Sequence, residues 1–204
     1  MKIIGLTGPS GAGKSTLCNG FEQLGIPCIN TDEIYHSLTA FPSPCLDELK
    51  ENFGDGILNK NGSLNRKALA KLVFESDDAQ HNLSRLNAIT HKYVWDKTNE
   101  ILTEYMNEGK VAAVIDAPAL FSSKIFIGAC DFIISVICDK EKRVDRIMKR
   151  DNISREDALA RANAQPSDSF FADNSDYIIT NCGSESEMFI QLASIFEQEE
   201  IYLK

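Results

Sequence analysis

No CxxC pair occurs in this 204-residue chain, and its six cysteines, at 18, 28, 45, 130, 138 and 182, are widely scattered. Free thiols, several of them buried as small apolar groups, are the simplest reading of that spacing, with metal ligation as the alternative. Long apolar runs are missing too. None approaches the roughly 20 residues of a membrane-spanning helix, so the apolar stretches are short enough to be strands and no membrane association is expected. The opening Met1-Lys2-Ile3-Ile4 reaches Gly5 without the long apolar segment of a secretory signal, so the expected location is cytoplasmic. Positive charge is scarce: 21 Lys and Arg against 30 Asp and Glu leave a net charge of −9. That balance argues against a broad basic surface for long nucleic acid. It leaves room for a small anionic ligand, which backbone amides and a few local Lys or Arg residues can hold, because salt screens the distant charges.

What remains is an ordinary globular balance, 43% hydrophobic and 25% charged, in a length that suits one buried core with a smaller appended lobe. Lys2 to Thr7 form a short apolar run, followed by a glycine-rich turn and then Lys14 to Leu24, where Leu17, Phe21 and Leu24 recur at helical spacing. Gly25 stops that helix, and Ile26 to Thr31 read as the next strand. From Asp32 to about Gly109, Pro42, Pro44, Gly54, Gly56 and Gly62 punctuate short helices and turns with no clear strand. Helices are expected over Leu64 to Phe74 and from between Asp78 and Arg85 towards Asn107.

Val111 to Ile115 and Phe132 to Ile137 are compact apolar runs suited to strands covered on both faces of a parallel sheet. Lys140 to Arg150 and Arg155 to Ala164 read as helices, the second capped by Ser154, and Asp176 to Thr180 as the last strand. Ser184 to Gln198 closes the chain as a helix with Met188, Leu192, Ile195 and Phe196 as its apolar stripe. The pattern is an α/β fold, an open parallel β-sheet core flanked by helices with a helical insertion, and its ligand belongs outside the carboxyl ends of the strands.

Gly8-Pro9-Ser10-Gly11-Ala12-Gly13-Lys14-Ser15 fits GxxxxGK[ST] at every fixed position, with Thr16 following, a strand before and a helix after. Glycines there allow tight turns whose amides converge on phosphate oxygens, and the helix adds the positive end of its dipole. Lys14 can reach the β- and γ-phosphates of a nucleotide, and the Ser15 hydroxyl can take a magnesium ion. Asp116 ends a strand and can organise the same ion as a Walker-B-like acid, or else serve as a local turn cap before Pro118. No Asn-Lys-x-Asp segment is present to read guanine, so a small-molecule or nucleotide kinase fits better than a GTP switch or motor.

Further motifs sharpen this. They are Gly5-Leu6-Thr7-Gly8, Ile29-Asn30-Thr31-Asp32, Phe53-Gly54, Gly62-x-Leu64-Asn65-Arg66 with Leu69, and Leu86-Asn87-x-Ile89-x-His91. Later come Asp116-x-Pro118-x-Leu120-Phe121, Arg146 with Arg150-Asp151, Gln165, and Ser175-Asp176-x-Ile178-x-x-Asn181. With these the chain resembles the dephospho-coenzyme A kinase family over nearly its whole length. It departs from the family pattern in having Asn30 for the first acid after the second strand, Ser122 for a glutamate, and Lys92 where a proline usually follows the histidine.

The resemblance implies a P-loop kinase fold with a nucleotide-binding core over 1–31 and 110–204, a helical coenzyme A-binding insertion over 32–109, and a lid over 140–168. It implies ATP with Mg2+ as donor, dephospho-coenzyme A as acceptor, and Asp32 as general base, with a helix N-cap as that residue's alternative role. Lys14, Arg146 and Arg150 would face the transferring phosphate, with Arg143 and Arg161 nearby, unless these arginines form a solvated, salt-bridged face. Phe53, Arg66, Asn87, His91 and Pro118 would shape the acceptor side, His91 being equally readable as an ordinary surface or core histidine. Asn181 and Gly183 would lie beside adenine. Another P-loop small-molecule kinase and a regulatory nucleotide-binding module are the competing functions.

Overall fold

In the computed structural model, which describes residues 1–203, strand β1 (Lys2–Thr7) runs into the glycine-rich loop and helix α1 (Lys14–Gln23) leaves it. Strand β2 (Cys28–Asn30) is shorter than the expected run from Ile26 to Thr31. Pro27 has no N–H to give a ladder, the Ile26 N–H turns back to the Phe21 carbonyl at 2.9 Å, and Thr31 already opens helix α2 (Thr31–Leu38). Helices α3 (Pro44–Phe53), α4 (Arg66–Phe74) and the 29-residue α5 (Ala79–Asn107) follow. Ser43 and Asn65 cap α3 and α4 by accepting from the Leu46 and Ala68 N–H groups, which fixes where each begins.

Strand β3 (Ala112–Asp116), helix α6 (Lys124–Ala129), strand β4 (Phe132–Ile137) and helices α7 (Lys140–Asp151), α8 (Arg155–Asn163) and α9 (Asp168–Asn174) come next. Strand β5 (Tyr177–Thr180) and helix α10 (Glu185–Gln198) close the chain. The first of these strands takes in Asp116 itself. Ser154 caps α8 as expected, and Ser184 closes a capping box with Glu187 at the start of α10. α6 and α9 were not visible as helices in the sequence, because six and seven residues are too few for a 3.6-residue period to show.

All strand pairs are parallel, in the order β2-β3-β1-β4-β5. β1 therefore sits at the centre, and its Leu6 is level with Asp116 on β3 and Ile134 on β4. Ile4, Leu6, Val114, Ile134 and Val136 are fully buried, and Leu17 and Phe21 of α1 with Leu192 and Phe196 of α10 pack on the same core. This is the near-continuous apolar strand pattern that helix-covered parallel sheets require.

The chain divides into two compact units, residues 1–30 with 102–204, and residues 31–101, and the dividing point lies within α5. The second unit has its own core, in which Leu46, Leu49, Ile57, Leu69, Val73 and Ile89 are buried together. Among the described residues no helix is long and apolar enough to cross a membrane.

Candidate active site

The loop from Gly8 to Gly13 can hold its shape only with glycine at its two ends. Gly8 has φ 136°, and a Cβ there would lie 2.2 Å from the Val136 carbonyl oxygen of β4. Gly13 has φ 106°, and its missing side chain leaves the space taken by the Asn181 amide, which donates from Nδ2 to the Ala12 carbonyl at 2.8 Å. Both positions are closed to any other residue on backbone and steric grounds. Lys14 folds back over the loop, its Nζ donating to the Gly8 carbonyl at 2.8 Å, and the first turn of α1 adds the positive end of a helix dipole.

Three arginines of α7 grip the outside of this loop. Arg143 is buried and donates from Nε to the Ser10 carbonyl at 3.1 Å and from Nη2 to Gln165 Oε1 at 3.1 Å. Arg146 donates from Nη1 to the Gly11 and Ala12 carbonyls, at 3.0 and 3.2 Å, and from Nη2 to the Asn181 carbonyl at 3.4 Å. Arg150 reaches the Ser10 hydroxyl at 3.1 Å. In a planar trans peptide the C=O and N–H point opposite ways, so tying the Ser10 and Ala12 carbonyls outward aims the Gly11 and Gly13 N–H groups away from the guanidinium groups.

Burial lowers the basicity of Arg143, against the opposing pull of Asp168 at 3.6 Å. Hydrogen bonding from Arg150, with further help from Arg161, holds the Asp151 carboxyl below the usual carboxylate range. Arg161 thus pairs with Asp151. The Ser10 N–H is itself engaged, at 2.9 Å, by Gln165 Oε1.

Asp116 lies at the carboxyl end of β3, level with Leu6 of β1 on one side and Asn30 of β2 on the other. One of its carboxylate oxygens is buried. Hydrogen bonding with Cys28 that favours the protonated thiol, burial and the nearby Asp116 charge all push the Cys18 thiol well above its ordinary value, leaving it an inert apolar neighbour. After Asp116 the chain turns at Pro118, whose carbonyl accepts from the Thr7 hydroxyl at 3.3 Å. Ser122 keeps its polar bond inside this turn, donating to the Ala119 carbonyl at 2.7 Å. Ser15 and Asp116 offer hard oxygen donors of the kind Mg2+ prefers. Among the described residues no group of three His, Cys, Asp or Glu side chains could hold a metal ion. The donor set therefore fits an ion that keeps water and substrate phosphate in most of its positions.

A Dephospho-CoA kinase family model matches residues 2–187. The chain belongs to the dephospho-CoA kinase family. It is 34% identical over 196 residues to a dephospho-CoA kinase of Bacillus cereus, covering 96% of each chain. A Thermus thermophilus crystal structure superposes with a TM-score of 0.77 at 29% identity over 97% of each chain. A dephospho-CoA kinase from Campylobacter jejuni gives 0.57 at 25% identity, over 97% of this chain and 96% of that one. The sequence reading of the fold, an α/β P-loop kinase with a parallel core, agrees with these.

Other candidates of this dephospho-CoA kinase family member lie in the 31–101 unit. Asp32 is exposed in the first turn of α2, two residues past the end of β2. Arg66 opens α4, places its guanidinium 5.5 Å over the Tyr35 ring and donates to the Thr39 hydroxyl at 3.3 Å. Phe53 ends α3, and Asn87 and His91 lie one turn apart on α5, all three half-buried. Burial lowers the basicity of His91. Gly183 is exposed just before the α10 capping box, while Asn181 is buried against the loop. The spacing of 143, 146 and 150 already placed these three arginines on one side of a helix in the sequence, with Arg146 and Arg150 preferred, yet Arg143 is the most buried of the three.

Proposed function

We propose that this chain transfers the γ-phosphoryl group of ATP to the ribose 3′-hydroxyl of dephospho-coenzyme A, giving coenzyme A and ADP. The observation that carries the reading is a P-loop whose carbonyls are tied outward by arginines, in a chain of the dephospho-CoA kinase family. Residues 31–101 form the acceptor-binding lobe, and residues 140–168 act as a lid over the nucleotide. Asn181 and Gly183 flank the donor's adenine, and Phe53, Arg66, Asn87 and His91 shape the acceptor side.

The loop amides and Lys14 take the β- and γ-phosphates, Lys14 exchanging the Gly8 carbonyl for a phosphate oxygen. Ser15 and Asp116 would hold Mg2+, which when bound neutralises charge building on the phosphate oxygens. Asp32 orients the 3′-hydroxyl and accepts its proton as the oxygen–phosphorus bond forms and the bond from the γ-phosphorus to the bridging oxygen of ADP breaks. Arg150, which ends on a loop hydroxyl, moves to the transferring group and stabilises its spreading charge. Closing the lid keeps water, the competing nucleophile, from the γ-phosphate.

The test is a magnesium- and ATP-dependent gain of one phosphoryl group by dephospho-coenzyme A, with mass spectrometric mapping of that group to the ribose 3′ position. Absence of that product, or phosphate mapped to another position, rejects the reading.

A further inference from the structure

A cavity of about 370 Å3 lies in the core unit beside the P-loop, with Gly8, Pro118, Phe121, Gln165, Phe170 and Phe171 among its lining residues. Its volume is at the small end of the roughly 300–1,000 Å3 typical of ligand sites, so it suits one ring system better than a whole dinucleotide. Three aromatic rings give it its character. Phe121 and Phe170 meet edge to face with centroids 5.6 Å apart and planes at 85°, and Phe170 and Phe171 repeat that arrangement at 5.6 Å and 83°. Phe171 is buried and supports the group, while Phe170 is 38% exposed and so leaves part of its ring open to a ligand.

The one amide in this lining is fixed in orientation. Gln165 Oε1 accepts from both the Ser10 N–H and the Arg143 guanidinium, so oxygen and nitrogen are assigned by their partners, and no described residue accepts from the Nε2 donors. The cavity thus offers aromatic faces and edges plus one amide donor, a combination suited to a planar heterocycle with ring-nitrogen acceptors.

We infer that this cavity receives the adenine of the phosphoryl acceptor, with Phe170 as its specificity-determining ring and Gln165 as its polar contact. The inference rests on the acceptor reading given above. The reacting 3′-hydroxyl is only a few bonds from the base on the same ribose, so when that oxygen reaches the γ-phosphate the base must lie close to the P-loop. Gly8, at the start of the loop, is part of the cavity wall. The donor's own adenine sits at the far end of a triphosphate, and the loop's other end, at Gly13, meets Asn181. The acceptor's long pantetheine arm leaves from the opposite side of the ribose and needs no room here.

The experiment measures steady-state kinetics of the full chain with dephospho-coenzyme A and magnesium ATP, for wild type, Phe170→Ala, Phe170→Leu and Phe170→Trp. Losing a base–aromatic contact raises the KM for dephospho-coenzyme A about 5- to 100-fold in the Ala and Leu variants, while Trp stays near wild type. The KM for ATP stays within about twofold in all three, and the thermal midpoint of Phe170→Leu matches wild type. An unchanged acceptor KM in both Ala and Leu variants, an equal rise in Trp, or a shift that falls on ATP overturns the assignment. Those outcomes leave the kinase reading standing if wild type still makes coenzyme A, whereas a wild type that makes none sinks both.

Discussion

In the core unit the guanidinium groups of Arg143, Arg146 and Arg150 all end on the same short stretch from Ser10 to Ala12. Gln165 and Asn181 close the network from two other segments. In the 31–101 unit the candidate residues are set differently. Arg66 is exposed and leans on Tyr35 and Thr39, Asp32 is exposed at a helix start, and Asn87 and His91 are half-buried along α5. The P-loop is thus held in shape by polar bonds to main-chain atoms, and the 31–101 unit, proposed above as the acceptor side, by the packing of Leu46, Leu49, Leu69 and Ile89 in its core. Polar bonds to main chain fix a shape before the ligand arrives, which suits an invariant triphosphate. A packed helical platform fixes only where side chains start, which suits recognition of one particular acceptor.

If that contrast is right, Asp32→Ala lowers turnover by about 10²–10⁴-fold while the ATP dissociation constant, measured by calorimetry, stays put. Loss of ATP affinity in that variant would break the separation between the two sides. Lys14→Ala is expected to lower kcat/KM about 10²–10³-fold and to weaken ATP binding as well, because the amine serves both states. Next in size is Arg143→Ala, which removes a buried donor from the Ser10 carbonyl and Gln165. It costs about 1–3 kcal/mol in urea unfolding, and full retention of stability would show that the loop keeps its shape without that clamp. Arg150→Ala, at an exposed site, lowers turnover about tenfold with little change in unfolding midpoint.

The smallest effect is on pH. Burial lowers the pKa of His91 in the folded chain, so between the folded and unfolded values the unfolded state binds more protons. Stability therefore falls as pH drops below about 6.5, and His91→Gln flattens that part of the curve in denaturant titrations from pH 8 to 5. An unaltered slope would mean that the imidazole is as well solvated in the folded state as in the unfolded one.

The donor side was legible because backbone geometry dictates residue type at fixed spacing. Only glycine serves at 8 and 13, and a lysine and a hydroxyl must follow, so the motif is visible without any knowledge of distant contacts. The strands Lys2–Thr7 and Phe132–Ile137 were equally plain, being continuous apolar runs between turns. Where partners lie far away in the chain, the sequence said less. Nothing near Gln165 announces that its amide meets Ser10, a contact across 155 positions, and Phe170 and Phe171 stood in a helix too short to declare itself. Helix α9 still carried one local sign, Ser167, whose hydroxyl accepts from the Phe170 N–H.

Glycine at three of the six positions from Gly8 to Gly13 would ordinarily mean slack chain, yet every carbonyl from Ser10 to Ala12 is pinned from outside by a side chain. Flexibility of the residue type is therefore used up in attaining one contour, and what remains is a stiff ring. Such a ring should exchange its amide hydrogens with deuterated solvent more slowly than its composition suggests, and severing its outer ties, with no substitution in the ring itself, should return it to the pace of an ordinary loop.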